Sequence, residues 1–442
     1  MTKGRIVNLP VPYDAAFAGE RGERIPYYRM YGKPYCLPSL TVYTVSEVER
    51  LQEAAERVDQ VYNKVLLFVQ RELPDVFLVK VLGLRPDMLS AARIEVPYHG
   101  VSRQDWILTP AGELKCIENN TDTPTGIPEA AWLAGSFIQD CPQYRNLSAG
   151  MDGLIRDAFA ALIRYYREQG TEGDVVFSSY GWHEEDSANA KYLLEQVKEA
   201  GVEARFAPLE EIEIVPGEGL YHDDKRIGIW YRLYPLEYLA DDQDDQGNPI
   251  GSEVFRLVQD GLLAVINPVQ SLITQSKGFM ALIWSLYEKQ QAVTELMGTE
   301  EAVLDAADME TIRRYLLPTY TTPQPFLDRS IPFVSKGYWG REGKGTVLHD
   351  AAGSEEIVEK GNTDPEEAEE ITSYYAQQPK IYQHRIPMEA IAADSGEGTV
   401  QGYLLTGVYV IGHRFAGILP RVGGLITGDL ACFCPAAVRD EQ

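Results

Sequence analysis

The chain has 442 residues, of which 45% are hydrophobic and 24% are charged, proportions typical of a soluble globular protein rather than a disordered one. Its formal net charge of −26 disfavours nucleic acid as a partner, because a phosphate backbone attracts basic surfaces. No apolar run approaches the ~20 residues that a membrane-spanning helix needs, and the first residues lack a signal-peptide core, so we expect a cytoplasmic protein.

The cysteine content and the net charge limit the kinds of site and substrate that we expect. Five cysteines are few, odd in number and never spaced as CxxC, which argues against a disulfide scaffold and a zinc site. The excess of acidic residues is compatible with a cationic substrate. The alternative is that this negative charge only keeps the protein soluble. No heptad pattern predicts an oligomeric state. The cysteines are Cys36, Cys116, Cys141, Cys432 and Cys434.

Residues 1–100 predict a helical and aromatic segment that packs on the core of the protein. Tyrosine and proline are frequent in the first 45 positions, and Ser46-Glu47-Val48-Glu49 then has the spacing of a capping box. A long amphipathic helix is expected after it, because apolar residues recur at helical intervals. These apolar positions are Val48, Leu51, Ala55, Val58, Tyr62, Val65 and Val69.

Within residues 101–140 the sequence predicts a β-hairpin. Two β-prone runs, Trp106–Leu108 and Leu114–Ile117, flank a Pro-Ala-Gly-Glu turn. If two residues form the loop, counting outward places Asp105 directly opposite Glu118. Side chains alternate between the two faces of a strand, so both carboxylates are expected on one face.

Two carboxylates that face each other repel unless a cation lies between them. Arg103 and Asn120 are expected on the same face, and two carboxylates with an amide oxygen suit Mg²⁺. The neighbouring arginine indicates an anionic ligand that the metal also contacts. The alternative is an ordinary amphipathic hairpin with a polar, solvent-facing side.

An α/β substrate-binding domain is predicted over residues 141–270. Its elements alternate between helix and strand, and a polar loop with Glu184 and Glu185 follows the first strand. The predicted elements are helix Met151–Gln169, strand Asp174–Ser179, helix Ser187–Ala200, strand Val202–Ala207, the hairpin Gly219–His222 with Arg226–Arg232, and strand Ala264–Ile266.

Residues 271–442 predict a second lobe with a glycine-rich lid. A helix from about Thr274 carries Lys277, and the strand Ile331–Lys336 runs into the glycine-rich turn Gly337–Gly345. Glycines let backbone N–H groups approach phosphate oxygens, although a surface hairpin is the alternative. Residues 350–370 are acidic and poor in apolar side chains, and we interpret them as a mobile insertion.

Helices and hairpins alternate irregularly, which predicts an α/β (α+β mixed) fold with mixed β-sheets. The carboxylate and amide cluster, the two lysines Lys277 and Lys336, and the basic glycine-rich turn strengthen one another. Together they describe an ATP site with Mg²⁺ that suits phosphoryl transfer to an oxygen.

The order of these motifs resembles the glutathionylspermidine synthetase family of the ATP-grasp superfamily. In that family, as in this chain, the metal-binding carboxylates precede the lysines. The matching motifs are Arg103-x-Asp105, Glu118-x-Asn120-x-x-Thr123, Phe177-Ser178-Ser179, Leu233-Tyr234-Pro235-Leu236-Glu237, Asn267-Pro268, Ser335-Lys336-x-x-x-Gly340-Arg341-Glu342-Gly343, Ile381-Tyr382-Gln383, Gly417-Ile418-x-x-Arg421 and Leu425-Ile426-Thr427.

The resemblance implies a metal and catalytic set. Asp105, Glu118 and Asn120 would bind the Mg²⁺ ions, expected to be two, that bridge the ATP phosphates. The catalytic residues would be Arg103 and Arg421, which stabilise the acyl phosphate and the tetrahedral intermediate, and Arg341, whose lid closes on the γ-phosphate.

The resemblance also implies nucleotide and substrate contacts. Lys277 and Lys336 would hold the ATP phosphates, and Thr123 would contact the acyl substrate. Glu184 and Glu185 resemble the acidic pair near the peptide and amine sites. The other implied nucleotide-binding residues are Gly340, Gly343, Gln383, Ile386 and Thr427.

The implied activity is that of an ATP-dependent carboxylate–amine ligase. ATP would phosphorylate a peptide or amino-acid carboxylate, and an amine would attack the acyl phosphate to give an amide. The N-terminal amidase of the best-known members is expected to be absent. Val422 follows the arginine where the family usually has an acidic residue, and no acidic residue is evident around Phe433. Glutathione and a polyamine therefore stay open as substrates.

Two alternatives to this activity stay open. One is a nucleotide-binding protein that has lost catalysis and acts as an interaction module. The other is a ligase that acts on a carrier protein, for which the acidic insertion would serve as a docking element.

Overall fold

The computed structural model describes residues 5–297, 302–356, 374–388 and 390–439. Within these ranges the strands form one four-stranded sheet, one five-stranded sheet, two six-stranded sheets and a two-stranded ribbon. Parallel and antiparallel pairs both occur, so the predicted mixed α/β class is confirmed. No helix in the described ranges combines the length and the hydropathy needed to cross a membrane.

The central sheet joins the predicted hairpin to strands near the end of the chain. All its pairs are antiparallel, and Thr399–Ile411 pairs with Arg414–Gly423 on one side and with Ser102–Leu108 on the other. This arrangement brings the hairpin beside residues more than 280 positions away in sequence. From edge to edge the strands are Cys432–Phe433, Arg414–Gly423, Thr399–Ile411, Ser102–Leu108 and Leu114–Asn120, and Ala390–Asp394 also pairs with Thr399–Ile411.

A 28-residue helix, Val45–Glu72, packs against the central sheet and buries its apolar stripe. The predicted capping box around Ser46 is wrong, because Thr44 is the cap. Thr44 Oγ1 accepts a hydrogen bond from Glu47 N at 3.1 Å, and Glu47 Oε2 accepts one from Thr44 N at 2.9 Å. Thr44 ends a strand in an extended conformation, which is the backbone geometry that an N-cap requires.

The five-stranded sheet carries the glycine-rich loop, which we define as residues 337–345. The loop joins the central strand of the sheet to the strand next to it. The strands, in order across the sheet, are Thr319–Tyr320, Lys380–His384, Phe333–Gly337, Val347–His349 and Glu355–Glu356. The last of these begins the predicted insertion, whose residues 357–370 lie outside the described ranges.

The second six-stranded sheet forms the predicted α/β unit. Its centre is parallel, with Lys225–Arg232 between Asp174–Ser178 and Ala264–Ile266. The helix after the first strand begins at Glu184 and not at the predicted Ser187. His183 caps it, because its ring nitrogen accepts a hydrogen bond from Asp186 N at 3.2 Å. The outer strands are Glu213–Val215, Gly219–His222 and Arg205–Phe206.

The four-stranded sheet joins the two ends of the described chain. Ser39–Thr44 pairs in parallel with Ala436–Arg439, so the first and last predicted segments share this sheet. The division of the chain into four segments stays a prediction. The remaining strands of this sheet are Ile6–Asn8 and Arg145–Asn146, and the separate ribbon consists of Arg29–Met30 and Lys33–Pro34.

Helices surround these sheets on several sides, and Met151–Glu168 and Lys277–Met297 are the longest after the first long helix. The other described α-helices are Tyr13–Ala16, Glu20–Arg24, Asp75–Lys80, Leu89–Ala92, Ala134–Gln139, Glu184–Glu199, Leu236–Leu239, Ile250–Gln259, Ser271–Gln275, Ala306–Tyr315 and Gln324–Leu327. Short 3₁₀ turns cover Pro86–Met88 and Leu209–Glu211, and a π-helical turn covers Glu129–Leu133.

Candidate active site

Asp105 lies directly opposite Glu118 in the hairpin, as the sequence predicts. The predicted two-residue loop is wrong, because Leu108 pairs with Leu114 and leaves five residues between the strands. This longer turn alone would shift the register by one residue. A β-bulge next to Asp105 compensates for the shift and restores the predicted pair.

Cationic side chains surround Asp105. Arg103 Nε donates to Asp105 Oδ1 and an Arg421 terminal nitrogen donates to Oδ2, each at 3.0 Å. Asn120 Nδ2 also donates to Oδ2, at 3.2 Å. Burial would raise the pKa of Asp105, but the Arg103 and Arg421 guanidiniums outweigh it and lower that pKa. Asp105 is therefore an ionised carboxylate.

Lys277, at the start of its helix, connects the hairpin with the glycine-rich loop. Its Nζ lies 2.8 Å from Glu118 Oε1 and 2.5 Å from the carbonyl oxygen of Gly340. Its backbone N–H donates to the Tyr338 carbonyl at 3.0 Å. The side chain is 4% exposed, so the ammonium group depends on these oxygens for solvation.

A second buried lysine lies at the end of the strand that leads into the glycine-rich loop. Lys336 Nζ donates to Gln383 Oε1 at 2.9 Å and to the Ile117 carbonyl at 3.1 Å. Burial lowers the pKa of Lys336 to about 8. A phosphate group at this position would give the Lys336 ammonium a charged hydrogen-bond acceptor in place of these two neutral ones.

Apart from Lys277, these side chains line one cleft with about 1050 Å³ of empty volume. The predicted site residues on its walls are Arg103, Asp105, Glu118, Asn120, Lys336, Gly343, Gln383, Ile386, Arg421 and Thr427. The walls away from the hairpin are partly apolar, with Val334, Leu425 and Ile426, and suit the face of a planar ring. The structure brings these residues together, and their individual roles stay predictions.

The donors around Asp105 and Glu118 fit a hard divalent cation. Two carboxylates and the Asn120 side chain supply oxygen ligands once the amide turns its oxygen toward the cation. Within the described ranges, no three His, Cys, Asp or Glu side chains lie close enough to hold a metal by themselves. Mg²⁺ commonly keeps water and phosphate oxygens as ligands, so this donor set suits a metal that arrives with a nucleotide.

Arg341 leaves the glycine-rich loop toward a buried polar network. Its guanidinium donates to Glu237 Oε1 at 2.5 Å, to Thr123 Oγ1 at 2.8 Å and to Asp122 Oδ2 at 3.1 Å. Asp122 is also paired with the fully buried Arg232. Arg341 thus fixes the loop to the segment after the hairpin, and its predicted contact with a γ-phosphate stays a prediction.

The loop also contacts the segment around Thr427 through Gly343. Gly343 has a φ of +70°, and a Cβ atom there would lie 2.6 Å from Ile426 Cγ2 and 2.8 Å from the Thr427 carbonyl oxygen. Only glycine fits this backbone and this spacing. The close approach brings Gly343, Ile426 and Thr427 together on the wall of the cleft.

The two predicted substrate glutamates, Glu184 and Glu185, are the first two residues of their helix, and they differ in exposure. Glu184 is exposed on the wall of an outer groove, whereas Glu185 is half-buried. The pKa of Glu185 is raised by burial and, next, by the charge of Glu129. Glu129 was not predicted as a site residue, because only the tertiary fold brings it there. Arg232 was also not predicted as a site residue, although an arginine inside an apolar strand indicates a buried charge that needs a partner.

Three comparisons with known proteins are consistent with this geometry. A Haemophilus influenzae protein provisionally named an acid–amine ligase is 21% identical over 322 residues, which cover 72% of this chain and 65% of that protein. The chain therefore spans less than two thirds of that relative. A glutathione synthetase-like effector from Globodera pallida, solved in its apo form, superimposes with a TM-score of 0.52 at 10% identity.

That superposition covers 91% of this chain and 89% of the effector, and it supports the ATP-grasp-like mixed fold. The family model for the glutathionylspermidine synthase preATP-grasp proteins matches residues 18–439, which is nearly the whole chain. The chain belongs to the glutathionylspermidine synthase preATP-grasp family.

Proposed function

We propose that this protein is an ATP-dependent carboxylate–amine ligase that forms an amide through an acyl phosphate. One observation carries the proposal. The opposed carboxylates Asp105 and Glu118 share a cleft with Lys336, Arg103 and Arg421, so carboxylates that would bind a metal and cations that would bind phosphate line one volume. Such a convergence suits phosphoryl transfer, in which the protein positions the reactants and neutralises charge.

Asp105, Glu118 and Asn120 would hold the Mg²⁺ ions of the nucleotide. When bound, these cations supply charge neutralisation to the phosphate oxygens. The chain's own contribution is to pair and orient both carboxylates. Arg103 and Arg421 form ion pairs with Asp105, and Lys277 forms one with Glu118.

Phosphate binding would draw on the two buried lysines. Among the described residues, Lys336 Nζ donates hydrogen bonds to two neutral oxygens, and a phosphate would offer it a stronger acceptor. Lys277 would shift from Glu118 toward phosphate as the cation takes over the carboxylate. Arg103 and Arg421 would then be free to contact the transferring phosphoryl group and the developing oxyanion.

The acyl substrate would lie beside Thr123, whose side chain Arg341 holds in place. The carboxylate oxygen of that substrate attacks the γ-phosphorus, and ADP leaves. An amine then attacks the acyl carbon, and phosphate leaves with the electron pair of the broken C–O bond. No side-chain nucleophile is required in either step.

The cysteines support this view, because none is placed as a nucleophile. All five are buried and free of disulfides. Burial raises the pKa of each thiol, so the reactive thiolate is disfavoured. Catalysis by positioning and charge neutralisation needs no such group.

The experiment is ADP release from MgATP by the purified protein, screened over pooled carboxylates with hydroxylamine as acceptor. Hydroxylamine traps an acyl phosphate as a hydroxamate. We expect one pool to give both ADP and hydroxamate, and Glu118→Gln to abolish both. Nucleotide binding without ADP release from any pool would overturn the ligase proposal and favour an inactive nucleotide-binding protein.

A further inference from the structure

Arg341 is held by a buried carboxylate on a neighbouring short helix. Glu237, in the helix Leu236–Leu239, accepts from Arg341 Nε at 2.5 Å through Oε1 and from a terminal nitrogen at 3.0 Å through Oε2. Such a bidentate pair is among the strongest contacts that a guanidinium and a carboxylate form. The Glu237 side chain is 4% exposed, so bulk water cannot take the place of the arginine.

A second buried carboxylate supports the same pair. Asp122 Oδ2 accepts from Arg341 at 3.1 Å and from the backbone N–H of Leu236 at 3.0 Å, which fixes the first turn of the helix that carries Glu237. Asp122 Oδ1 is paired with Arg232, whose side chain is fully buried. The two arginines and the two carboxylates carry equal and opposite charge, so this buried network is balanced while Arg341 stays in it.

The charge balance bears on what Arg341 can contact. A move to a phosphate would take the guanidinium away from Glu237 and leave that carboxylate buried without its cation. The Tyr238 ring on the same short helix adds a further contact, with its centroid 5.9 Å from Arg341 Cζ. Glu342 and Gly343 of the same loop are among the described residues that line the cleft, and Arg341 is not. These contacts favour an arginine that stays in place.

The direction of one hydrogen bond indicates what Arg341 does in this position. Its Nη1 donates to Thr123 Oγ1 at 2.8 Å. A guanidinium has donors and no acceptor, so the threonine oxygen accepts and its hydroxyl proton is left to point elsewhere. Thr123 is half-buried, so a ligand can reach that proton. A hydroxyl fixed in this way presents a donor, which suits an anionic oxygen.

We propose that Glu237 is a positioning residue of the ligase, which holds Arg341 where the guanidinium turns the Thr123 hydroxyl toward the carboxylate of the acyl substrate. The inference rests on the function proposed above. Arg341 then acts through Thr123 and does not contact the γ-phosphate, which differs from the role that the family resemblance implies for it. Asp122 fixes the helix that carries Glu237. Neither Glu237 nor Asp122 was predicted as a site residue.

Nucleotide binding separates the two roles of Arg341 without turnover. MgADP lacks the γ-phosphate and the magnesium complex of AMP-PNP has it, so loss of a contact with that phosphate weakens binding of the second alone. In calorimetric titrations we expect Arg341→Gln and Glu237→Gln to change both Kd values by the same factor, to within about threefold. A loss of AMP-PNP affinity that exceeds the loss of MgADP affinity by more than about threefold would overturn the proposal.

Turnover tests the link between Glu237 and Thr123, with the carboxylate found in the hydroxamate screen. Thr123→Val removes the hydroxyl donor, and Thr123→Ser keeps it. We expect Thr123→Val and Glu237→Gln each to lower kcat/KM for that carboxylate by about 10- to 100-fold, because a hydrogen bond to a charged group is lost or misdirected. Thr123→Ser should stay within about threefold of wild type. Full activity of Thr123→Val would overturn the proposal.

A double-mutant cycle shows whether Glu237 acts through Thr123. Introducing Glu237→Gln into Thr123→Val should lower kcat/KM by less than about threefold more, because the donor that Glu237 positions is already gone. Losses that multiply would show that Glu237 acts by another route and would overturn the proposal. Lys344→Gln is the matched control, because it breaks a more exposed pair in the same loop and should leave kcat/KM unchanged.

Thermal melting identifies any variant with a folding defect. If Glu237→Gln does not fold, Arg341→Lys takes its place in the cycle, because lysine keeps the charge but lacks the fork that contacts Glu237 and Thr123 together. Absence of hydroxamate from the wild type overturns the ligase function and with it the role of Thr123. A selective loss of AMP-PNP affinity overturns the positioning role and leaves the ligase function standing.

Discussion

Lys277 Nζ lies 2.8 Å from Glu118 Oε1, so the carboxylate opposite Asp105 already has a cation beside it before any metal binds. Both carboxylates are thus paired with protein cations. A divalent cation would compete with these ion pairs for the same oxygens. These ion pairs consist of the charges that catalysis is expected to use.

The first prediction concerns these two carboxylates. Glu118→Gln and Asp105→Asn should each lower turnover by about 100-fold or more, because each removes a negative charge that would hold the metal. The matched control is Glu113→Gln, an exposed glutamate in the turn of the same hairpin, which should have no effect. Steady-state ADP release at increasing Mg²⁺ measures all three variants.

The same variants separate metal binding from folding. Asp105→Asn also leaves Arg103 and Arg421 without their carboxylate, and we expect it to lower the melting temperature more than Glu118→Gln does. If Glu118→Gln keeps full turnover at low Mg²⁺, the metal assignment is wrong.

The second prediction concerns pH and nucleotide binding. The pKa of Lys336 is lowered to about 8, and phosphate binds its charged form. Below pH 8 the lysine is already protonated, whereas above pH 8 binding must first restore the proton. The Kd for MgADP should therefore rise by up to about tenfold per pH unit above pH 8.

Lys336→Arg is the control for this titration, because a guanidinium stays protonated throughout the range. Calorimetric titration of MgADP from pH 7 to pH 9.5 should give a flat profile for the variant. Parallel profiles for wild type and variant would show that another group titrates.

The third prediction concerns stability. Arg341→Gln removes the partner of Glu237, whose side chain is 4% exposed, and weakens the network around Asp122. Loss of one member of a buried ion pair costs about 3–5 kcal/mol of unfolding free energy. Lys344→Gln breaks an exposed pair with Glu342 in the same loop and should cost less than about 1 kcal/mol.

Urea denaturation followed by tryptophan fluorescence compares the two variants. An Arg341→Gln protein as stable as Lys344→Gln would show that Arg341 does not hold the loop in the way that its contacts indicate.

The fourth prediction concerns the close approach at Gly343. Gly343→Ala forces a side chain into a left-handed backbone conformation, at a cost of about 1–2 kcal/mol, and against Ile426 and Thr427. The loop should shift away from the cleft, and kcat/KM for ATP should fall by about tenfold.

Gly153→Ala is the control, because Gly153 lies in a helix with no atom within 4 Å of the added Cβ. That variant should keep full activity and gain a little stability. Unchanged kcat/KM in Gly343→Ala would contradict the proposed contact between the loop and the cleft.

Local patterns in the sequence predicted the elements of the fold, and errors arose at their boundaries. The pairing of Asp105 with Glu118 was predicted from a loop of the wrong length, and it held because a bulge compensated for the extra residue. The cap of the long helix was placed at Ser46, since the strand that makes Thr44 an N-cap is not visible in local spacing.

Long-range contacts could not be predicted from local sequence patterns. The register between the strands of Asp105 and Arg421 depends on the whole central sheet, and only family resemblance brought these residues together. Glu129 looked like an ordinary first-turn glutamate after Pro128. Its burial against Tyr35 is a property of tertiary packing alone.

The most direct test of the central claim follows the carboxylate oxygen. With the carboxylate substrate labelled with ¹⁸O, MgATP and an amine, the phosphate released by the enzyme is analysed by mass spectrometry. An acyl phosphate predicts one ¹⁸O atom in each phosphate released, together with ADP. Recovery of ¹⁸O in AMP, or its absence from phosphate while amide forms, would contradict the account.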